Sequence, residues 1–97
     1  MKIMFKIIDA KGSGKTSRLM LIAKEKGYDF VCKNPPAMRS KAWAYGITGI
    51  NFISYYDVLE LKEFNKNGYV IDELEEFVKY AIDEKAILKG YSLSSED

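Results

Sequence analysis

Asp9-Ala-Lys-Gly-Ser-Gly-Lys-Thr16 is the stretch that decides the fold of this 97-residue chain. An apolar run, Ile3-Met-Phe-Lys-Ile-Ile8, precedes it, and apolar residues at helical spacing follow it between Ser17 and Lys26. Glycines permit a sharp turn between the two because they adopt backbone angles closed to other residues. The order of strand, Gly-rich turn and helix therefore predicts an α/β protein with this turn at the end of its first strand.

The composition of the turn favours an anionic ligand. Backbone N–H groups of a Gly-rich turn that opens a helix can face one concave site, and the helix dipole adds positive charge there. Lys15 would reach the β- and γ-phosphates of a nucleotide, and the hydroxyl of Thr16 would bind Mg²⁺. The alternative is a Gly-rich turn with no ligand. The predicted phosphate-binding residues are Gly12, Ser13, Gly14, Lys15, Thr16 and Ser17.

A second motif, Gly68-Tyr-Val-Ile-Asp-Glu73, reads as a short strand followed by two carboxylates. Ligands of parallel sheets bind at the carboxyl ends of the strands, so we expect Asp72 and Glu73 to lie close to Lys15 and Thr16. Asp72 would steady Mg²⁺, and Glu73 would activate a water, with Lys15 as the second catalytic residue. The alternative is an acidic helix start, which the helix dipole favours.

Together the two motifs resemble the Walker A and Walker B motifs of P-loop NTPases, in the division with a glutamate beside the Walker B aspartate. The resemblance covers roughly residues 3–91 and is nearest to the core of thymidine-kinase-like proteins, whose loop also ends in Ser-Gly-Lys-Thr (13–16). The chain is also similar to small bacteriophage P-loop proteins. It departs from the motif at Asp9, where the first glycine would stand. The resemblance implies ATP or another nucleoside triphosphate, with Mg²⁺, as ligands.

Composition excludes several kinds of site. The chain has no histidine and a single cysteine, Cys32, so it can form neither a Ser-His-Asp triad nor a zinc cluster nor a disulfide of its own. The cysteine-ligated zinc of thymidine kinases is therefore not expected, nor is their activity. No apolar run approaches the roughly 18 residues of a membrane span, so we expect no membrane partner, and a reducing cytoplasm is the expected location.

Charge is unevenly distributed although the net charge is only +1. Residues 1–50 contain 10 Lys or Arg and 3 Asp or Glu, whereas residues 51–97 contain 5 and 11. The first half is suited to polyanions and the second holds the carboxylates that a metal needs. Attraction between the two halves within the fold is an alternative explanation.

The remaining pattern predicts one domain, residues 1–97, with the three-layer α/β architecture of P-loop NTPases. Its mostly parallel sheet would have four to five strands, near residues 3–8, 28–32, 50–53, 69–71 and 86–91. Helices are predicted at 15–26, after Ser54, and from residue 74 to about 85. Two prolines are expected to break structure at 33–36, and 37–49 to form a loop with one helical turn at 40–45.

Further polar and aromatic residues allow two interpretations each. Arg18, Arg39 and Lys41 would contact phosphates, one of them as an arginine finger on a neighbour, or would be solvated surface charges, which we favour. Trp43 and Tyr45 would stack on a base or on single-stranded nucleic acid, or would pack their loop onto the core, which we favour.

Two functions follow from these patterns. The first is an ATP/Mg²⁺-binding protein with weak ATPase activity at most, whose expected partners are the nucleotide and a second copy of the chain. The second is a degenerate P-loop module that binds protein or nucleic acid through the basic 33–41 segment without hydrolysis. Asp9 favours the second.

Overall fold

Three parallel strands and four helices alternate along the chain in the computed structural model, which describes residues 4–61, 63 and 65–94. The strands lie in the order β2-β1-β3. The predicted α/β class is confirmed, with three strands in the described residues rather than four or five. The elements are α1 (Lys15–Lys26), β1 (Asp29–Cys32), α2 (Pro35–Ala44), β2 (Phe52–Ser54), α3 (Tyr55–Leu61), β3 (Tyr69–Ile71) and α4 (Leu74–Ile82).

The central strand, β1, is buried along its whole length. Phe30 is paired with Phe52 of β2, and Val31 with Ile71 of β3. A parallel strand between two others needs helices on both faces of the sheet, because no polar face is left for solvent. An apolar stretch without alternation, Phe30-Val-Cys32, meets that requirement.

Each face of the sheet has its own apolar cluster. Phe30 and Cys32 face α1 and α2, where they pack with Met20, Ala23 and Ala42. On the other face, Val31 packs with residues of α3 and α4, including Tyr55, Val58 and Phe77. The expectation of helices on both faces is therefore confirmed.

The two helical layers differ in charge. The layer of α1 and α2 carries six cations and one carboxylate, whereas the layer of α3 and α4 carries four carboxylates and one cation. The asymmetry between the two halves of the sequence thus becomes an asymmetry between the two faces. The cations of the first layer are Lys15, Arg18, Lys24, Lys26, Arg39 and Lys41, and the carboxylates of the second are Asp57, Glu60, Glu75 and Glu76.

Two predicted strands are not formed in the described residues. Residues 4–8 belong to no strand, and Ile8 is 79% exposed, while Ile3 lies outside the described residues. Residues 86–91 likewise belong to no strand, and Ile87 is exposed. Both predictions rested on apolar content, which indicates that a segment can be buried but not that a neighbouring strand will pair with it.

The predicted break at 33–36 and the predicted loop over 37–49 with one helical turn at 40–45 were also wrong, because 35–44 form the helix α2. The side chain of Asn34 accepts a hydrogen bond from the Ala37 N–H at 3.1 Å and so caps this helix. Pro35 and Pro36 occupy its first turn, where a missing N–H costs no helical hydrogen bond. The prolines therefore start the helix rather than prevent it.

The other helix ends follow their sequence signals. Helix α1 has the predicted bounds and ends at Gly27, which adopts the left-handed conformation and donates its N–H to the Ala23 carbonyl. Ser54 caps α3 by accepting the Asp57 N–H at 3.0 Å, as the capping pattern predicted. The spacing of apolar residues predicts Val58, Leu61 and Phe64, with Leu59 in part, as the inner face of this helix. Val58 is buried, Leu61 is exposed, and Phe64 lies outside the described residues.

Candidate functional site

The Gly-rich turn ends in two left-handed glycines, Gly12 (φ 81°) and Gly14 (φ 86°). Side chains other than glycine rarely adopt these angles, so the turn requires both residues. Gly14 precedes α1 directly, and no side chain caps the helix. Among the described residues, the N–H groups of Lys15, Thr16 and Ser17 have no hydrogen-bond partner. The start of α1 therefore presents backbone donors and the positive end of the helix dipole.

The side chain of Lys15 folds back over this turn. Its Nζ donates to the carbonyls of Asp9 and Ala10, both at 3.0 Å. An ammonium group has three donors, so one remains for an anion. The two bonds hold a positive charge beside the free N–H groups of the helix start.

Asp9, which departs from the glycine of the motif, takes part in the turn. Its Oδ1 accepts the Ala10 N–H at 2.8 Å, and its Oδ2 pairs with Nη2 of Arg18 at 3.2 Å. The Ala10 hydrogen bond and, next, Arg18 hold the pKa of Asp9 below its usual value. Both side chains are about half exposed, so the pair adds little stability. The effect of the ion pair is local, because the positive charge of Arg18 offsets the negative charge of the Asp9 carboxylate at the entrance of the turn.

The two sequence motifs meet across 56 residues. Thr16 Oγ1 donates to the carboxylate of Asp72, 3.2 Å from Oδ1 and 3.4 Å from Oδ2. Asp72 follows β3 directly, and its N–H bonds to the Val31 carbonyl at 2.9 Å, which fixes its backbone to the central strand. The structure thus brings the start of α1 to the carboxyl end of β3.

Asp72 is only 8% exposed. Burial raises its pKa above the usual value, and the neighbouring Glu73 adds to the rise; the hydrogen bond from Thr16 and the charges of Lys41 and Lys15 act in the opposite sense. An ionised carboxylate in this buried position lowers the free energy of unfolding. Perturbed acids of this kind are frequent at functional sites.

Tyr55 holds the turn that follows Asp72. Its hydroxyl donates to the carbonyls of Asp72 at 2.8 Å and Glu73 at 3.3 Å, and its ring is edge-on to Phe77 with centroids 5.2 Å apart. Burial raises the pKa of this hydroxyl well above its usual value, so it stays a donor. Sequence reasoning missed Tyr55, because an aromatic residue in the first turn of a helix carries no signal of such a contact.

Replacing Tyr55 with phenylalanine is expected to destabilise the fold by about 1–3 kcal/mol, since the buried Asp72 carbonyl loses its donor while the ring contacts remain. Urea unfolding followed by circular dichroism would measure the change. Tyr80→Phe is a matched control, because the Tyr80 ring packs in the same cluster and its hydroxyl makes no hydrogen bond among the described residues. Equal stability of Tyr55→Phe and wild type would contradict this role.

Glu73 adopts the left-handed conformation (φ 58°), alone among the described residues that are not glycine. Such a conformation costs about 1–3 kcal/mol and persists where its surroundings impose it. The hydroxyl of Tyr55 is one such constraint. The Glu73 side chain is exposed and, within the described part of the chain, has no hydrogen-bond partner to direct it.

The remaining candidates lie on or near α2. The charge of Lys41 lowers the pKa of Asp72, and the charge of Arg39 lowers the pKa of Cys32, so both cations act on groups at this end of the sheet. Cys32 is buried, and burial, followed by the Asp72 charge, raises its thiol pKa to about 11, as suits an unreactive thiol. Trp43 is 78% exposed and Tyr45 53% exposed, so the prediction that they pack onto the core is wrong.

Comparison of the chain with protein-family models, with curated proteins and with solved structures finds no match. The described residues contain no helix that is long and apolar enough to cross a membrane. They also contain no group of three or more Asp, Glu, Cys or His side chains placed to hold a metal ion.

Proposed function

We propose that this chain binds a nucleoside triphosphate together with Mg²⁺ at the carboxyl end of its sheet. The phosphates would contact the free N–H groups of Lys15, Thr16 and Ser17 and the ammonium group of Lys15. A triphosphate is favoured over a single phosphate because the donors extend from the Gly-rich turn into the first turn of α1, and the buried acid Asp72 lies beyond them.

One observation carries this proposal, namely the hydrogen bond between Thr16 and Asp72. The two residues belong to motifs 56 positions apart in the sequence. An ordinary Gly-rich turn would not need a buried acid facing its first helical hydroxyl. The burial of Asp72 has a folding cost, and a bound cation would offset it.

The donor chemistry fits Mg²⁺. The Thr16 hydroxyl and the Asp72 carboxylate are hard oxygen ligands, and Mg²⁺ is usually held by one or two such groups with the substrate phosphates and water. A protein cage of three or more acids is therefore not required. Bound there, Mg²⁺ would neutralise phosphate charge.

Hydrolysis is proposed to be slow at most. Glu73, the candidate to activate water, is exposed, and no described group fixes its carboxylate. General-base catalysis needs a carboxylate held within hydrogen-bond reach of the water. Binding is thus the function that the geometry favours, and a catalytic role of Glu73 would require a ligand or a second copy of the chain to orient it.

Lys15→Ala tests the proposal. Loss of charge-assisted hydrogen bonds worth about 1.5–3 kcal/mol is expected to weaken ATP·Mg²⁺ binding about ten- to a hundredfold. Isothermal titration calorimetry of wild type and variant would measure the two dissociation constants.

Lys24→Ala is the matched control, because Lys24 is an exposed lysine in the last turn of the same helix. It should bind ATP as wild type does. Equal affinity of wild type and Lys15→Ala, or no heat of binding to wild type, would refute the proposal and leave the degenerate interaction module.

A further inference from the structure

Trp43 stands out on the surface of α2. It is 78% exposed, and Tyr45, at the end of the same helix, is 53% exposed. The helix is anchored on its other side by Ala42 and Met38, which pack against the core cluster. Exposure of Trp43 is thus a property of a well-anchored helix and not of a loose loop.

The surroundings of Trp43 are cationic. Residues 30–56 contain Lys33, Arg39 and Lys41, all exposed, and no Asp or Glu. Arg39 lies four residues before Trp43, so the two are neighbours on the helix surface. The helix belongs to the basic layer of the molecule, on the face opposite the carboxylates of α3 and α4.

We propose that the exposed face of α2 binds single-stranded nucleic acid. Arg39 and Trp43 lie on one side of the exposed helix surface, and Lys41 and Tyr45 lie on the other, so a strand that crosses α2 would contact both sides. Trp43 and Tyr45 would stack on bases, and Lys33, Arg39 and Lys41 would contact the phosphates. Aromatic residues that stack on bases, together with neighbouring basic residues, are typical of proteins that bind single strands without sequence preference. An acidic protein surface would also complement the three cations, but it offers no flat bases on which Trp43 and Tyr45 could stack.

The aromatic end of this surface is separate from the proposed triphosphate site. Trp43 lies eight residues beyond the start of α2, which is about 12 Å along the helix axis. The start of α2 follows the carboxyl end of β1, so Trp43 lies away from that edge of the sheet, whereas Lys33 and Lys41 lie nearer to it, and the Lys41 charge acts on Asp72. This second binding function consequently does not depend on whether the first proposal is correct.

Trp43 is the single tryptophan of the chain, so its fluorescence reports on this surface directly. Titration of the wild type with a short oligothymidylate is expected to quench this fluorescence with saturation. The logarithm of the binding constant should fall with the logarithm of salt concentration, with a slope of about −2 if all three cations contact phosphates. Arg39→Gln should reduce that slope by about 0.7.

Variants without the tryptophan are measured by the anisotropy of a labelled oligothymidylate. Trp43→Ala is expected to weaken binding about tenfold or more. Tyr56→Ala is the matched control, because Tyr56 is an exposed aromatic residue on α3, in the acidic layer, and this variant should bind normally. Lys15→Ala should also bind normally, whatever its effect on ATP.

Absence of quenching by the oligothymidylate would overturn the proposal. So would equal quenching by ATP alone, since the aromatic surface would then belong to the triphosphate site. Binding that Trp43→Ala and Tyr56→Ala weaken to the same extent would also overturn it. A normal oligothymidylate titration with no ATP binding would support this inference while refuting the proposed function.

Discussion

Replacing Phe30 with alanine is expected to lower the free energy of unfolding by about 3–5 kcal/mol, the largest stability loss that we expect for any of the substitutions. Phe30 is fully buried in the central strand, and its ring is edge-on to that of Phe52 with centroids 5.3 Å apart. Truncation of a buried phenylalanine costs about 3–5 kcal/mol. A domain of this size has a total stability of about 5–15 kcal/mol, so the change removes a large part of it.

Urea unfolding followed by circular dichroism would measure this loss. Phe30→Leu should cost clearly less, because leucine keeps most of the buried volume. Tyr56→Ala removes an exposed aromatic side chain and should change stability by about 0.5 kcal/mol or less. A loss below about 1 kcal/mol for Phe30→Ala would mean that the cluster beneath α1 and α2 is not the core of the fold.

Replacing Asp72 with asparagine is expected to change stability in opposite directions with and without ligand. The raised pKa means that the folded state disfavours the ionised carboxyl group. This cost is fully present at neutral pH, above the raised pKa, and it disappears as the pH falls through that pKa toward the ordinary value. Without ligand, Asp72→Asn should therefore melt at a higher temperature than wild type at neutral pH, and the difference should shrink in acid.

With ATP and Mg²⁺ the order should reverse. A ligand at about 100 times its dissociation constant stabilises wild type by about 2.7 kcal/mol. A tenfold weaker affinity in Asp72→Asn would remove roughly 1.4 kcal/mol of this, or about 5–10 °C of the ligand-induced shift in melting temperature. Thermal unfolding over a range of pH, with and without ATP and Mg²⁺, measures both effects.

Asp29→Asn is the control for this variant. Asp29 is also a buried aspartate, but it lies at the opposite end of the sheet, where it accepts the Asn51 Nδ2–H at 3.1 Å and the Asn65 N–H at 3.0 Å. Asparagine would lose one of these bonds, so this variant should be less stable than wild type without ligand and keep the full ligand-induced shift. An equal reduction of that shift in both variants would show that Asp72 has no special relation to the ligand.

The parts of the fold that local chemistry determines could be predicted from sequence. Gly27 ends α1 and Ser54 begins α3 because each needs only its own neighbours in the chain. The α2 helix was missed because the prolines were interpreted as breakers, although the cap at Asn34 makes the same residues a helix start. The unpaired segments 4–8 and 86–91 show the limit of apolar content, since pairing depends on a distant strand.

The candidate site also contains contacts that could be predicted from sequence and contacts that could not. The proximity of Thr16 and Asp72 was predicted from the rule that the carboxyl ends of parallel strands share an edge, but the strand expected before the Gly-rich turn is not formed in the described residues, so the rule accounts only for the place of Asp72 at the end of β3. The contact of Arg18 with Asp9 and that of Tyr55 with the Asp72 carbonyl could not be predicted. Both depend on side-chain geometry in three dimensions, and neither residue belongs to a motif.

The charge difference between the two helical layers gives the molecule an electric dipole moment across its sheet. Near the isoelectric point of about 7.7 the net charge vanishes, but this dipole does not. Neighbouring molecules then attract each other with unlike faces together, over a range of about 10 Å at 0.1 M salt and about 30 Å at 0.01 M. Solubility should consequently be lowest in dilute buffer near that pH and rise when salt is added.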